Sequence, residues 1–104
     1  MRADAIKGHV DLLVLTVLQR APAHGYALAE RLRERSGGVF DLAEGTVYPA
    51  LYRLERHGLV VSHWRSVDGR RRRVYRLTTA GEQALSERRR RWDSFEAAMR
   101  AVLA

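Results

Sequence analysis

Apolar side chains recur at three- and four-residue steps in four stretches of the chain, and between the third and the fourth the period drops to two. The first stretch predicts a helix over Gly8 to Arg20. Val10, Leu13, Val14, Val17 and Leu18 form its core stripe, while Leu12 and Leu15 point elsewhere. Such a helix needs a second cover, either another subunit or a later helix folded back over it. Ala21-Pro22 ends it, because proline has no amide donor and restricts the residue before it. Ala23-His24-Gly25-Tyr26 opens a second helix that runs to about Ser36, with Leu28, Ala29 and Leu32 inward and Glu30, Arg31, Arg33, Glu34 and Arg35 outward. Ser36-Gly37-Gly38 stops it, since glycine accepts positive φ at a helix C-terminus.

After the crossing Val39 to Ala43, residues Glu44 to Val60 predict a third helix with Val47, Ala50, Leu51 and Leu54 on its core face. Pro49, Tyr52, Arg53 and Arg56 lie on the opposite face, and Tyr48 joins them. A start near Thr46 keeps Pro49 in the first turn, whereas a start at Glu44 costs one hydrogen bond, so Thr46 is the expected cap. His57-Gly58 ends the helix, with Gly58 left-handed. Leu59 to Ser66 then alternates, with Leu59, Val61 and His63 on one side and Val60, Ser62 and Trp64 on the other. Arg73 to Leu77 alternates less cleanly, setting Tyr75 and Leu77 against Arg73, Val74 and Arg76. Between these runs, Asp68-Gly69 is a strong turn signal, and a β-hairpin follows with Arg70, Arg71, Arg72 and Arg73 at its tip and return strand.

The last helix begins at Thr78 or Thr79; Thr79 and Glu82 have capping-box spacing, and Thr78 is the rival cap. Along it Leu85, Trp92, Phe95, Met99 and Val102 repeat as a heptad-type seam, with Arg88 in the missing position. Arg88 to Arg91 reads mainly as a solvated basic face. The fold class that results is mainly α with a small β-hairpin. It comprises a winged helix-turn-helix domain over residues 1–78, followed by a C-terminal dimerisation helix over 79–104.

At 104 residues the chain can bury only a small core without a partner subunit, which favours a dimer. There is no cysteine, hence no disulfide framework or thiolate metal site. Met1 to Lys7 lacks a signal-peptide pattern and Val10 to Leu18 is too short to span a bilayer, so the expectation is a cytoplasmic protein without a membrane partner. The net charge is +7, unevenly placed. Residues 44–78 hold eight arginines against three carboxylates, while 1–43 hold six cations against five anions and 79–104 hold five against four. A discrete polyanion-binding surface in the middle third is the natural reading.

Tyrosines with arginines beside them suit the anionic, acceptor-rich groove of double-stranded DNA, and arginines of the hairpin suit phosphates because the guanidinium is always charged and forks to two oxygens. The rival reading is a winged-helix interaction module whose third helix binds an acidic protein partner. An enzyme is the weakest class: His9, His24, His57 and His63 form no ligand set or nucleophile pairing, and no glycine loop cradles phosphate. No metal and no cofactor is expected. His24 reads as a turn residue near a helix N-terminus.

Five blocks in order resemble the PadR family of bacterial transcriptional regulators: Lys7 to Leu15, Pro22 to Tyr26, Glu44 to Leu54, Gly58-Leu59-Val60 and Tyr75 to Gly81. The match is collinear over essentially the whole chain, and the Gly-Thr-Val-Tyr-Pro block is specific in that order. The resemblance implies a winged helix-turn-helix with one dimerisation helix, the first and last helices forming the interface. It also implies a repressor at inverted-repeat operators, relieved in some members by a flat aromatic effector between the subunits. Position by position, Thr46, Tyr48 and Pro49 fall in the block that meets DNA, and Tyr26 is a candidate phosphate contact. Arg70 to Arg73 match a basic but variable wing. The expected interface or effector cavity comprises Leu12, Leu15, Leu85, Trp92, Phe95, Met99 and Val102.

Overall fold

The computed structural model describes Ile6 and residues 8–104; Lys7, which opens the first of the five blocks, and the N-terminal residues 1–5 lie outside the described residues. Four helices and one hairpin follow in the order α1 (Val10–Arg20), α2 (Gly25–Arg35), α3 (Glu44–Arg56), β1 (Val60–Val67), β2 (Arg70–Leu77) and α4 (Thr79–Leu103). α1 begins two residues later than its periodicity suggests, because Gly8 turns at φ +92° before it. Val14, Leu15, Val17 and Leu18 of α1 meet Leu28 and Leu32 of α2, Val47, Leu51 and Leu54 of α3, Tyr75 of β2 and Leu85 of α4 in one apolar cluster. Burying a residue such as Leu51 contributes roughly 1.5–3 kcal/mol each.

Glycine placement sets the helix ends. After α2, Gly38 N–H reaches Arg33 O at 2.7 Å and Gly37 N–H reaches Glu34 O at 3.2 Å. After α3, Leu59 N–H reaches Leu54 O at 3.0 Å and Gly58 N–H reaches Glu55 O at 2.9 Å, with Gly58 at φ +74°. Both are Schellman closures, in which a left-handed residue turns the chain back onto the last carbonyls. The Asp68-Gly69 turn has positive φ at both residues, 52° and 77°, as a type I′ hairpin requires.

The hairpin is longer than its alternation suggested, and all four wing arginines lie within β2. Its register, Val60↔Leu77, Ser62↔Tyr75 and Trp64↔Arg73, puts Arg73 on the same face as Tyr75 and Leu77, as a period of two demands; grouping Arg73 with Val74 was therefore wrong. Tyr75 also exchanges two backbone hydrogen bonds with Ala23 (3.0 and 2.9 Å), so the hairpin is stapled to the link between α1 and α2. At the far end Thr78, not Thr79, caps α4: its Oγ1 accepts from Gly81 N–H at 3.0 Å and donates to Gly58 O at 2.7 Å. Gly81 is buried there, and only glycine fits, because a Cβ would run into the Leu59 carbonyl.

Candidate nucleic-acid interface

α3 starts at Glu44 with Ala43 in the capping position, and no side chain caps it. Thr46 is therefore inside the first turn, not at the cap; its amide bonds to Ala43 O at 2.9 Å. Pro49 consequently sits in the second turn and leaves the Gly45 carbonyl without its helical donor. Both residues are exposed and Gly45 carries no side chain, so water can take the orphaned carbonyl.

Val47, Ala50, Leu51 and Leu54 are buried and Pro49, Tyr52 and Arg56 are exposed, so the two faces of α3 divide as their spacing implies. Tyr52 is 57% exposed. Tyr48 is half-buried instead: its ring lies over Gly25, where any Cβ would overlap it, and stands 6.2 Å from the Tyr52 ring. Burial, then the neighbouring Glu44 carboxylate, push its phenol above the ordinary tyrosine range.

Tyr48 and Tyr52 face the hairpin across an open hollow of about 470 Å³ that Glu55, Trp64, Arg71, Arg72, Arg73 and Tyr75 complete. The Arg71 and Arg73 guanidiniums lie 5.4 and 5.6 Å from the centre of the Trp64 indole. Arg73 Nε donates to Ser62 Oγ at 2.7 Å, and Ser62 Oγ donates to Glu55 Oε2 at 2.5 Å, so this chain of bonds ties the wing to α3. Tyr75 lies wholly buried beneath, its hydroxyl without a hydrogen-bond partner among the described residues and pushed up to about 12 by burial. The four arginines are thus not equivalent. Alternation had marked Trp64 only by its side of the strand, and no motif pointed to the role it takes here.

Arg53 departs furthest from expectation. Its Nη2 donates to Asp11 Oδ1 at 2.5 Å, and Asp11 Oδ2 lies 3.5 Å from Arg88 Nη1 of α4. The guanidinium reaches Asp11 of α1 while its side chain stays 44% exposed, so in the free chain this ion pair competes with the bidentate base contact its face suggested. Tyr26 is exposed, and its hollow holds the carboxylates Glu30, Asp41 and Glu44 beside a single cation, Arg33, which pairs with Glu30, a net negative lining that disfavours phosphate. Its neighbour His24 caps α2, Nδ1 accepting from Ala27 N–H at 3.3 Å. Burial, then Arg72 and Arg31, hold His24 below its ordinary pKa.

Of the residues expected at an interface or effector cavity, Leu15 and Leu85 are corrected: both are buried in this chain's own core, beyond the reach of a second subunit. Leu15 lies on the inward side of α1 because that helix is covered by α2, α3 and α4 together. Trp92, Phe95, Met99 and Val102 remain exposed, and Leu12 is half-buried. Trp92 meets the His9 ring edge-on at 5.3 Å and the Phe95 ring at 5.8 Å. A mainly apolar groove of about 570 Å³ runs between α1 and α4, lined by His9, Leu12, Leu13, Thr16, Phe40, Trp92 and others. Leu13 had been placed in the core stripe, and Phe40 had no assignment. Among the described residues no helix is long and apolar enough to cross a membrane, and no group of three or more histidines, cysteines and carboxylates could hold a metal ion.

A three-helix core with a basic hairpin and a trailing helix defines a winged helix-turn-helix regulator. A model of the transcriptional regulator PadR-like family matches residues 14–87, and the chain belongs to that family, whose members are transcriptional regulators rather than enzymes. The chain is 54% identical over 67 residues to Transcriptional regulator Rv3488 of Mycobacterium tuberculosis, a match covering 64% of this chain and 60% of that protein. It is 31% identical over 93 residues to an uncharacterized protein of Lysinibacillus sphaericus, covering 88% and 85%. Among solved structures, a PadR family transcription regulator from Clostridium difficile aligns with TM-score 0.82 and 33% identity over 93% of this chain and 100% of that one. A transcriptional regulator from Clostridium thermocellum aligns with TM-score 0.85 and 27% identity over 93% and 95%.

Proposed function

We propose that the chain is a homodimeric repressor that binds a palindromic operator in double-stranded DNA. Residues 1–78 are the DNA-binding unit and 79–104 the dimerisation helix, acting in the cytoplasm. The observation that carries this reading is the exposed Tyr52 beside a wing whose arginines line the same hollow. Tyr52, Pro49 and Arg56 face the major groove, Thr46 and Tyr48 support the start of α3, and Arg70, Arg71 and Arg72 meet phosphates. Arg53 supports α3 through Asp11. The exposed apolar residues Trp92, Phe95, Met99 and Val102 of α4 support a second copy packing there, and a small aromatic effector then enters the α1–α4 groove.

Selection of bound sequences from random duplex DNA, run with sedimentation of the free protein, tests the reading. The expected result is a dimer and an inverted repeat whose half-sites are about 34–36 Å apart. A monomer, or a bound sequence without symmetry, would refute the paired arrangement. Absence of duplex binding even at low salt would instead favour an acidic protein as the partner of α3.

A further inference from the structure

We infer that Trp64 is a positioning residue of the wing, an indole platform that holds Arg71 in a phosphate-ready pose and assists Arg73; this rests on the DNA-binding reading above. Trp64 is 55% exposed, on the hairpin face that it shares with Arg73 directly across the strands and with Arg71. A large apolar ring left so open on a basic hairpin serves no core. Over its ring lie two guanidiniums, whose central carbons are 5.4 and 5.6 Å from the ring centre. This is the range of a cation–π interaction, in which the face of the indole attracts the cation.

The two arginines depend on the ring unequally. Arg73 is also held by its bond to Ser62 Oγ and lies 4.0 Å from Glu55, so the ring is one of three restraints on it. Arg71 has no ion pair or hydrogen bond among the described residues, and the indole is what defines its position. A cation–π contact does not use the guanidinium N–H groups as hydrogen-bond donors, and none of Arg71's is engaged by another described residue, so the donors that fork to a phosphate are not consumed. A long side chain held in advance loses less rotamer freedom on binding, which adds affinity without adding a contact. Trp64 thus acts on DNA through Arg71 without adding charge.

The distinction between positioning and direct contact is measurable. Binding of a duplex to the full chain is titrated against salt for the unmodified protein and for Trp64→Leu, Trp64→Phe and Arg71→Ala. Trp64→Leu keeps apolar bulk and removes the strong π face; it should weaken binding about three- to tenfold on specific and nonspecific duplex alike, with the salt slope unchanged. Trp64→Phe should recover most of that loss. Arg71→Ala should lower the slope by about 0.9, one phosphate's worth of released counterions, and Trp64→Leu should add no further loss in that background beyond the share due to Arg73. Affinity unchanged in Trp64→Leu, Phe no better than Leu, or a salt slope that falls as in Arg71→Ala would each overturn the inference. Binding retained by the unmodified chain but indifferent to Trp64 removes this inference alone, whereas an unmodified chain that does not bind duplex removes the functional reading as well.

Discussion

The predicted seam of α4, Leu85 in the first half and Trp92, Phe95, Met99 and Val102 in the second, meets opposite fates along its length. The first half is docked: Gly81 lies against the Leu59 carbonyl and Leu85 is in the core. In the second half Trp92, Phe95 and Met99 are partly open, and Val102 is 83% exposed. Length explains the difference. α4 has 25 residues and α1, the helix it lies on, has 11, so at 1.5 Å per residue roughly 37 Å of helix is set against ~17 Å of support. An apolar stripe states only that a helix must be covered, and here the chain covers just its beginning.

The largest test of this contrast is Leu85→Ala, expected to lower unfolding free energy by about 2–5 kcal/mol at every protein concentration. In the proposed dimer, where a second copy covers Phe95, Phe95→Ala should lower the melting temperature by an amount that grows with concentration. Equal, concentration-independent losses in both would erase the distinction between the halves. The flanks of α3 provide the next comparison. Tyr52→Ala, on the wing side, should reduce discrimination between specific and nonspecific duplex by on the order of 1 kcal/mol, and Arg53→Ala by clearly less. The reverse order in competition binding would return Arg53 to the groove.

Asp11→Asn should cost about 1 kcal/mol in urea unfolding, because a carboxylate whose side chain is 19% exposed serves Arg53 and Arg88 at once. Adding Arg53→Ala should then cost little more. The smallest effect concerns His24. Its folded pKa is depressed below 6.5, so the stability it contributes is present above that pH and is lost as pH falls through the folded value. Protonating Nδ1 also removes the acceptor that caps Ala27 N–H. A urea midpoint that declines below pH 6.5 in the native chain and flattens in His24→Asn is the expected observation.

How much was legible follows from the range of each interaction. The Schellman glycines, the Asp-Gly turn, the core face of α3 and the family blocks are local patterns, and local patterns survive in a linear text. The ion pair of Arg53 was not legible because its partner Asp11 is 42 residues away on another helix. Leu15 and Leu85 looked like surplus because the number of elements surrounding α1 is not written in α1. Thr46 seemed the cap on the cost of Pro49, yet an exposed Gly45 carbonyl makes that cost bearable.

From residues alone came the four helices, the hairpin and the segregation of positive charge into the middle third, each set by periodicity, turn chemistry or composition, and the regulator family, which rested on the resemblance of five motif blocks. Tertiary structure decided how the arginines divide: Arg53 to Asp11, Arg73 to Ser62 and Glu55, Arg71 to the Trp64 ring. A guanidinium is charged wherever it sits in the sequence, but the partner that occupies it is chosen by which elements fold within a few ångströms of it.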